Sequence, residues 1–158
     1  MHYKVGAIVQ ARILSSRLPG KVLLPILGMP MLSLLLYRIK KAILVDVIIV
    51  ATSNKKQDDL IAEHVKNEDN VILYRGDEKD VLTRMFMAAK QNRLSHILRV
   101  TADNPFFDWE IADQLINMIK ENYYDYVSNN LVRTFPYGID IEVITYNALE
   151  IAADEAIS

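Results

Sequence analysis

The sequence has 158 residues, of which 51% are hydrophobic and 24% charged, an ordinary composition for one globular domain with a sizeable core. It contains no cysteine, which excludes disulfides, zinc thiolate sites and thiol nucleophiles and suits a reducing compartment, so we expect a cytoplasmic protein. The formal net charge of -2 excludes little, but the first 45 residues hold seven of the 18 Lys and Arg residues and none of the 20 Asp and Glu residues.

The uneven charge narrows the choice of partners. A nucleic-acid surface would interleave basic and aromatic side chains, whereas most tyrosines lie outside the basic third, so we expect no nucleic-acid partner. No stretch approaches the roughly 20 apolar residues of a membrane span, and we expect no membrane association. A basic third joined to an acidic remainder instead suits an anion and a metal ion that meet between them.

Apolar runs and amphipathic stretches alternate along the chain. In chain order, the patterns predict a strand at 3–10, a helix at 30–43, a strand at 45–51, a helix at 56–66, a strand at 71–74, a helix at 78–91, a strand at 96–101, a helix at 109–121, and strands at 124–128 and 139–146. Asp108 is placed to cap the helix at 109–121. This alternation predicts an α/β fold with a mainly parallel sheet covered by helices on both faces, whose ligands bind beyond the carboxyl ends of the strands.

A last helix follows residue 147, where Asn147 and Glu150 form a capping-box-like start. Leu149, Ala152, Ala153 and Ala156 would form its apolar face, for which the rest of the chain offers no evident partner. Either a second subunit covers this face, as in a homodimer, or the chain is a piece of a longer protein.

The loop after the first strand, within AIVQARILSSRLPGK at 7–21, has the residues of a phosphate site. Pro19 and Gly20 prevent a helix from following the strand directly. The loop's cations and hydroxyls suit phosphate oxygens, and they are Arg12, Ser15, Ser16, Arg17 and Lys21. A triphosphate is the expected ligand. The loop lacks the P-loop motif GxxxxGK[ST] and the dinucleotide-binding motif GxGxxG, which weakens a kinase or a dehydrogenase interpretation. The alternative to a phosphate site is a basic loop exposed to solvent.

The string RVTADNPF at 99–106 places Asp103 where a strand ends. A carboxylate at the carboxyl end of a central strand can hold Mg²⁺ against phosphate oxygens, because this ion needs only one or two such ligands. The alternative is that Asp103 caps a turn, as Asp often does.

Two further acidic strings are candidates. In YGIDIEVITY at 137–146, strand alternation puts Asp140 and Glu142 on one face, where they would bind sugar hydroxyls or a second metal, unless this is a solvated face. In RGDEKDVLTR at 75–84, Gly76 would let the backbone approach a base or ribose. Helix capping is the alternative explanation for Asp77 and Asp80.

Taken in order, AIVQARxxSSRLPGKVLLPIxGxPML, RGxxxDVLxR, RVTADNP and GIDIEV resemble the spore-coat polysaccharide protein F group of cytidylyltransferases. This group is similar to the enzymes that activate Kdo and acylneuraminic acids as CMP-sugars. The resemblance implies a three-layer α/β/α Rossmann-like fold of the nucleotide-diphospho-sugar transferase type. It also implies one nucleotidyltransferase-like domain over 1–158, which lacks the C-terminal part of the longer relatives.

The resemblance implies that a sugar or sugar-acid hydroxyl attacks the α-phosphorus of CTP and releases pyrophosphate, with Mg²⁺ as cofactor. The implied catalytic residues are Arg12, Lys21 and Asp103, the last as metal ligand. The implied nucleotide-binding residues are Ala7, Val9, Arg12, Ser15, Ser16, Arg17, Lys21, Arg75, Gly76 and Asp80, and the implied substrate-binding residues are Asp140 and Glu142. The alternatives are a nucleotide-binding module with impaired catalysis and a transferase that uses another nucleotide.

Overall fold

The fold is taken from a computed structural model that describes residues 3–15 and 18–156. The strands are β1 (Val5–Gln10), β2 (Pro25–Ile26), β3 (Met29–Pro30), β4 (Val47–Ser53), β5 (Val71–Gly76), β6 (His96–Thr101), β7 (Tyr126–Ser128) and β8 (Glu142–Thr145). The α-helices are α1 (Met31–Ile39), α2 (Asp59–Val65), α3 (Val81–Gln91), α4 (Trp109–Asn122) and α5 (Tyr146–Glu155). Short 3₁₀ turns cover Lys21–Leu23 and Lys56–Asp58.

Six of these strands form one sheet in the order β5-β4-β1-β6-β8-β7. Strand β1 pairs in parallel with β4 and β6, and β4 pairs in parallel with β5. Strand β8 runs antiparallel to both β6 and β7. The predicted mainly parallel α/β fold is therefore confirmed, with β8 as the strand that reverses.

Both faces of the sheet are apolar because the central strands alternate their side chains between two cores. On one face, Ala7 and Val9 pack in a core with the apolar sides of α1, α2 and α4. On the other face, Ile8 and Ile49 pack in a second core with α3 and α5. Each fully buried aliphatic side chain of this kind contributes about 1.5–3 kcal/mol, and the two cores fix the sheet between its helix layers.

The strand register brings two distant loops to one edge of the sheet. Gln10, the last residue of β1, lies between Ala51 of β4 and Thr101 of β6. Beyond the strands, the amide of Ala102 still donates to the Gln10 carbonyl at 2.9 Å. The loop that follows β1 and the segment that follows β6 therefore start side by side.

Local signals set some helix ends and distant residues set others. Asp108 accepts hydrogen bonds from the amides of Glu110 and Ile111, which confirms the predicted cap of α4. Helix α1 ends at Ile39 rather than at residue 43, and Ile43 is exposed. The prediction was wrong because Asp113 accepts hydrogen bonds at 3.0 Å from the amides of Ile43 and Leu44, which turns the chain out of the helix.

The last helix is capped and covered differently from the prediction. Thr145, not Asn147, is its N-cap, and its hydroxyl accepts from the amide of Ala148 at 3.2 Å. Leu149 is buried in the second core, and the Tyr146 ring lies 5.7 Å from that of Phe86 on α3. Helix α3 therefore covers part of the apolar face of α5, and this face is a weaker argument for a second subunit than the sequence suggested. The homodimer stays a prediction.

Across the described residues, none of the helices is both long enough and apolar enough to cross a bilayer.

Candidate functional site

A cavity of about 480 Å³ opens at the sheet edge where β1 and β6 end. Its lining residues are Gln10, Ala11, Arg12, Ser15, Lys21, Val22, Val81, Arg84, Arg99, Thr101, Ala102 and Asp103. Among the described residues, this lining carries four cationic side chains and one carboxylate. Such an excess of positive charge in a concave site attracts a polyanion, because the walls focus the field of the cations.

The described parts of the loop after β1, residues 11–15 and 18–20, are held by the protein's interior. Asp58 is fully buried, and its Oδ1 accepts from the amide of Ile13 at 2.7 Å. The hydroxyl of Ser53 donates to the other oxygen of the same carboxylate. At the far end, Gly20 has φ of 73°, which glycine adopts without strain, and its amide donates to the Ile13 carbonyl at 2.8 Å. Asp58 thus anchors the loop, a role that its sequence context did not indicate.

Lys21 and Asp103 meet across the cavity. The Lys21 ammonium lies 2.5 Å from Oδ2 of Asp103, and both side chains are partly exposed to the cavity. Burial alone would raise the pKa of Asp103, but the hydrogen bond and charge of Lys21, helped by Thr101, outweigh it and hold the pKa below 3.8. The carboxylate is therefore ionised at neutral pH, and 82 residues of sequence separation are closed into one charged pair.

Arg84 lines the same cavity from α3, although only 6% of this residue is exposed. Its Nη1 donates to the carbonyls of Asp77 and Glu78, the latter at 3.3 Å. Its aliphatic stem packs on Gly76, where a Cβ atom would lie 2.9 Å from the Arg84 Cγ. Gly76 therefore has a packing reason to be glycine. Nothing local marked Arg84 beyond its place in the string at 75–84.

Arg99 lines both the cavity and an adjoining, mostly apolar groove of about 300 Å³. Its guanidinium lies 2.6 Å from the Glu142 carboxylate, directly across the β6–β8 pair. Glu142 lines the groove, so one of the two predicted substrate-binding carboxylates lies next to the cavity. Asp140 instead precedes β8 and pairs with Arg133 at 3.1 Å, so the two carboxylates do not share one strand face as predicted.

The predicted site residues divide into three groups. Those that the structure brings to the cavity are Arg12, Ser15, Lys21 and Asp103. Ser16 and Arg17 lie outside the described residues. Those that the structure places away from the cavity lining are Ala7, Val9, Arg75, Gly76, Asp80, Asp140 and Glu142.

Four residues of the third group have clear structural positions. Ala7 and Val9 are fully buried in the first core, so their side chains cannot contact a nucleotide, and the strand end Gln10 takes their place at the cavity. Arg75 is engaged by the carbonyls of residues 53 and 55 and by Asp59 at 2.7 Å. Asp80 is the N-cap of α3, since its carboxylate accepts from the amide of Thr83 at 2.9 Å, as the capping alternative predicted.

The donors for a metal ion in this cavity are few. Across residues 3–15 and 18–156, no three His, Asp or Glu side chains cluster as metal ligands. Asp103 is the carboxylate among the lining residues, and its ionised form is a hard oxygen ligand. Because Mg²⁺ at nucleotide sites takes one or two carboxylates and completes its shell with water and phosphate oxygens, this donor set fits Mg²⁺ and not a metal held by protein alone.

Comparison with known proteins agrees with this geometry. The chain is 35% identical over 90% of its length to the spore coat polysaccharide biosynthesis protein SpsF of Bacillus subtilis, and spans 59% of that protein. It is 32% identical over 75% of its length to a 3-deoxy-manno-octulosonate cytidylyltransferase of Geobacter sulfurreducens, of which it covers 46%. The solved structure of a cytidylyltransferase from Leptospira borgpetersenii superposes with a TM-score of 0.94 at 33% identity, covering 99% of this chain and 66% of that one.

The chain thus spans about three fifths of the length of SpsF. The family model described as cytidylyltransferase matches residues 6–156, nearly the entire chain. The resemblance seen in the motifs is confirmed, and the chain belongs to the cytidylyltransferase family.

Proposed function

We propose that this chain carries the nucleotide-binding and transfer site of a cytoplasmic cytidylyltransferase. The reaction transfers CMP from CTP to a hydroxyl of a sugar or sugar acid and releases pyrophosphate, for surface or spore-coat-type polysaccharide synthesis. The observation that carries the proposal is the cationic cavity closed by Lys21 and Asp103 where β1 and β6 end. The names of its relatives, a spore-coat polysaccharide protein and a 3-deoxy-manno-octulosonate cytidylyltransferase, support the substrate class.

In this mechanism the protein's own groups position and neutralise the triphosphate. Arg12 and Lys21 offer their charges to phosphate oxygens, and the Ser15 hydroxyl donates a hydrogen bond to them. Displacement at the α-phosphorus needs an aligned acceptor and neutralised charge more than covalent help from the protein.

Asp103 would hold Mg²⁺ through its ionised carboxylate. When bound, this ion would supply charge neutralisation on the phosphates and activation of the acceptor hydroxyl. Lys21 pairs with Asp103, which keeps the carboxylate ionised and fixes its position in the cavity lining. Lys21 thus has two tasks, to bind phosphate and to orient the metal ligand.

The acceptor would bind in the groove next to the cavity. Glu142 faces this groove and is fixed by Arg99, so a sugar hydroxyl there would meet a carboxylate of defined orientation. Asp140 is close in sequence, and Asn104, the residue after Asp103, donates to its carbonyl at 3.3 Å. The buried side chain of Asn104 thereby links the segment at Asp140, next to the groove, to the neighbouring metal ligand Asp103.

The test is pyrophosphate release in the presence of CTP, Mg²⁺ and a panel of sugars and sugar acids. The rates of the chain and of its Asp103→Asn variant are compared. We expect the variant to be at least about 100-fold slower, because losing one group that stabilises charge at the reacting phosphate commonly costs this much. Equal rates would refute the role of Asp103. Nucleotide binding without pyrophosphate release by either protein would favour the nucleotide-binding module with impaired catalysis.

The base is tested separately by calorimetric titration with CTP, UTP, GTP and ATP. We expect CTP to bind most tightly, and tighter binding of another nucleotide would overturn the assignment of the base while leaving the phosphate site in place.

A further inference from the structure

Arg84 is a buried cation that forms no ion pair with the described residues. It belongs to none of the ion pairs formed within 4.0 Å among residues 3–15 and 18–156, whereas Lys21, Arg75, Arg99 and Arg133 each pair with a carboxylate. Its partners within the described part of the chain are the two backbone carbonyls of Asp77 and Glu78, and its Nε is buried with no hydrogen-bond acceptor among the described residues.

Such a position is costly for an isolated domain. A buried charge loses its hydration, and carbonyl dipoles offset only part of this loss. Burial accordingly lowers the pKa of Arg84 below its ordinary value, although the more distant carboxylates of Asp58, Asp77 and Asp80 oppose this, and the positive charge of Arg12 adds to it. Arginine nevertheless stays charged at neutral pH, so Arg84 is a buried cation with no carboxylate of the described residues at ion-pair distance.

Packing and hydrogen bonds hold the Arg84 side chain in this position. Gly76 leaves room for the Arg84 stem, since a side chain there would come within 2.9 Å of Cγ and 3.3 Å of Cβ. The carbonyls of residues 77 and 78 fix one edge of the guanidinium. The residue still lines the cavity that Arg12, Ser15 and Lys21 also line. A phosphate chain in that cavity would therefore share one space with cations from the loop after β1 and from α3.

We infer that Arg84 binds the polyphosphate tail of the nucleotide and that this tail is its missing counter-ion. The inference rests on the proposed function in that the ligand is a nucleoside triphosphate. A guanidinium matches phosphate oxygens with two parallel hydrogen bonds, and the contact replaces the hydration that burial removes. Because Arg84 also holds the carbonyls of residues 77 and 78, phosphate binding is coupled to the position of the turn that precedes α3.

The test compares the binding of CTP, cytidine and inorganic tripolyphosphate by titration calorimetry. The variants are Arg84→Met, which keeps the stem and removes the charge, and Arg84→Lys, which keeps the charge and removes the two-pronged geometry. The matched control is Arg38→Met on α1, because Arg38 also donates to a backbone carbonyl, that of Phe107, but lies away from the cavity. Circular dichroism and thermal unfolding establish that each variant folds.

We expect Arg84→Met to weaken CTP and tripolyphosphate binding roughly 10- to 100-fold, as for loss of a charge-assisted hydrogen bond, with cytidine affinity changed less than about threefold. Arg84→Lys should fall between this variant and the original, and Arg38→Met should bind like the original. If Arg84→Met does not fold, Arg84→Lys decides the question through the same selectivity. CTP binding that is unchanged, or weakened in equal proportion to cytidine binding, would overturn the inference.

The proposed function and this inference fail in different ways. If the original chain binds tripolyphosphate through Arg84 but shows no preference for a nucleotide, the proposed function fails and the phosphate role stands. If it binds CTP and Arg84→Met binds CTP equally well, the phosphate role fails and the proposed function stands. If it binds neither ligand, both are wrong.

Discussion

Gly76→Ala isolates the packing between β5 and the stem of Arg84. No positive φ is found at Gly76, so the backbone accepts alanine, and the cost is steric. The new methyl group would lie 2.9 Å from Cγ of Arg84 and 3.2 Å from Cε1 of Tyr74, both closer than ordinary carbon contacts. Overpacking of this kind costs about 1–3 kcal/mol. Since Cγ belongs to a side chain fixed at its far end, we expect a value near the middle of this range.

The assay is urea unfolding followed by circular dichroism, combined with a double-mutant cycle. Arg84→Ala removes Cγ and should relieve most of the clash, so the two substitutions together should cost about 1 kcal/mol less than the sum of the single changes. Gly20→Ala is the control, because its φ of 73° causes backbone strain but a methyl group there meets no atom of the described residues within 4 Å. Additive free energies for positions 76 and 84, within about 0.5 kcal/mol, would refute the packing argument.

Three further predictions concern the loop anchor, the charged pair and the last helix. Asp58→Ala leaves the amide of Ile13 without its buried acceptor, so we expect the free energy of unfolding in urea to fall by roughly 1–3 kcal/mol. CTP should also bind more weakly, and an unchanged CTP affinity would contradict the anchoring role of Asp58. Burial raises the pKa of Asp103, but the contact with Lys21 outweighs burial, so the pKa in the folded protein is depressed. The stabilisation from this pair is present above pH about 4 and is lost as the pH falls through the folded-state pKa. The unfolding free energies of the chain and of Asp103→Asn, plotted against pH, should therefore converge at low pH, and parallel curves would contradict the pairing. Thr145→Ala removes the N-cap of α5 and should lower the free energy of unfolding by about 1 kcal/mol, measured by thermal or urea unfolding. An equal loss from Asn147→Ala would instead support the capping box that the sequence predicted.

Several elements were predictable because their causes are local. The strand at 96–101 has the predicted bounds, and Asp108 caps α4 as its spacing indicated. Alternating apolar runs fixed the parallel α/β class, since strands buried on both faces need apolar residues on both. The cations of the loop and the aspartate after β6 were also visible as residue types at the ends of strands.

Other features depended on residues far apart in the chain. Helix α1 ends early because Asp113, about 70 residues later, takes the amides that would continue it. Asp58 and Arg84 were not assigned to the site because each reads in the sequence as an ordinary helix residue. Asp140 and Glu142 were expected to act together, but the strand begins only at Glu142 and the two carboxylates pair with different arginines.

The sequence alone determined the class of fold, the family and the charged groups available for a phosphate ligand, because hydrophobic period, turn residues and motif spacing are properties of neighbouring positions. The tertiary structure decided which of those groups share a cavity. The register of β1 and β6 places Lys21 against Asp103, and the packing of Arg84 on Gly76 directs a second cation to the same space. Strand pairing and side-chain contact join residues tens of positions apart, and no pattern within one segment of the chain carries that information.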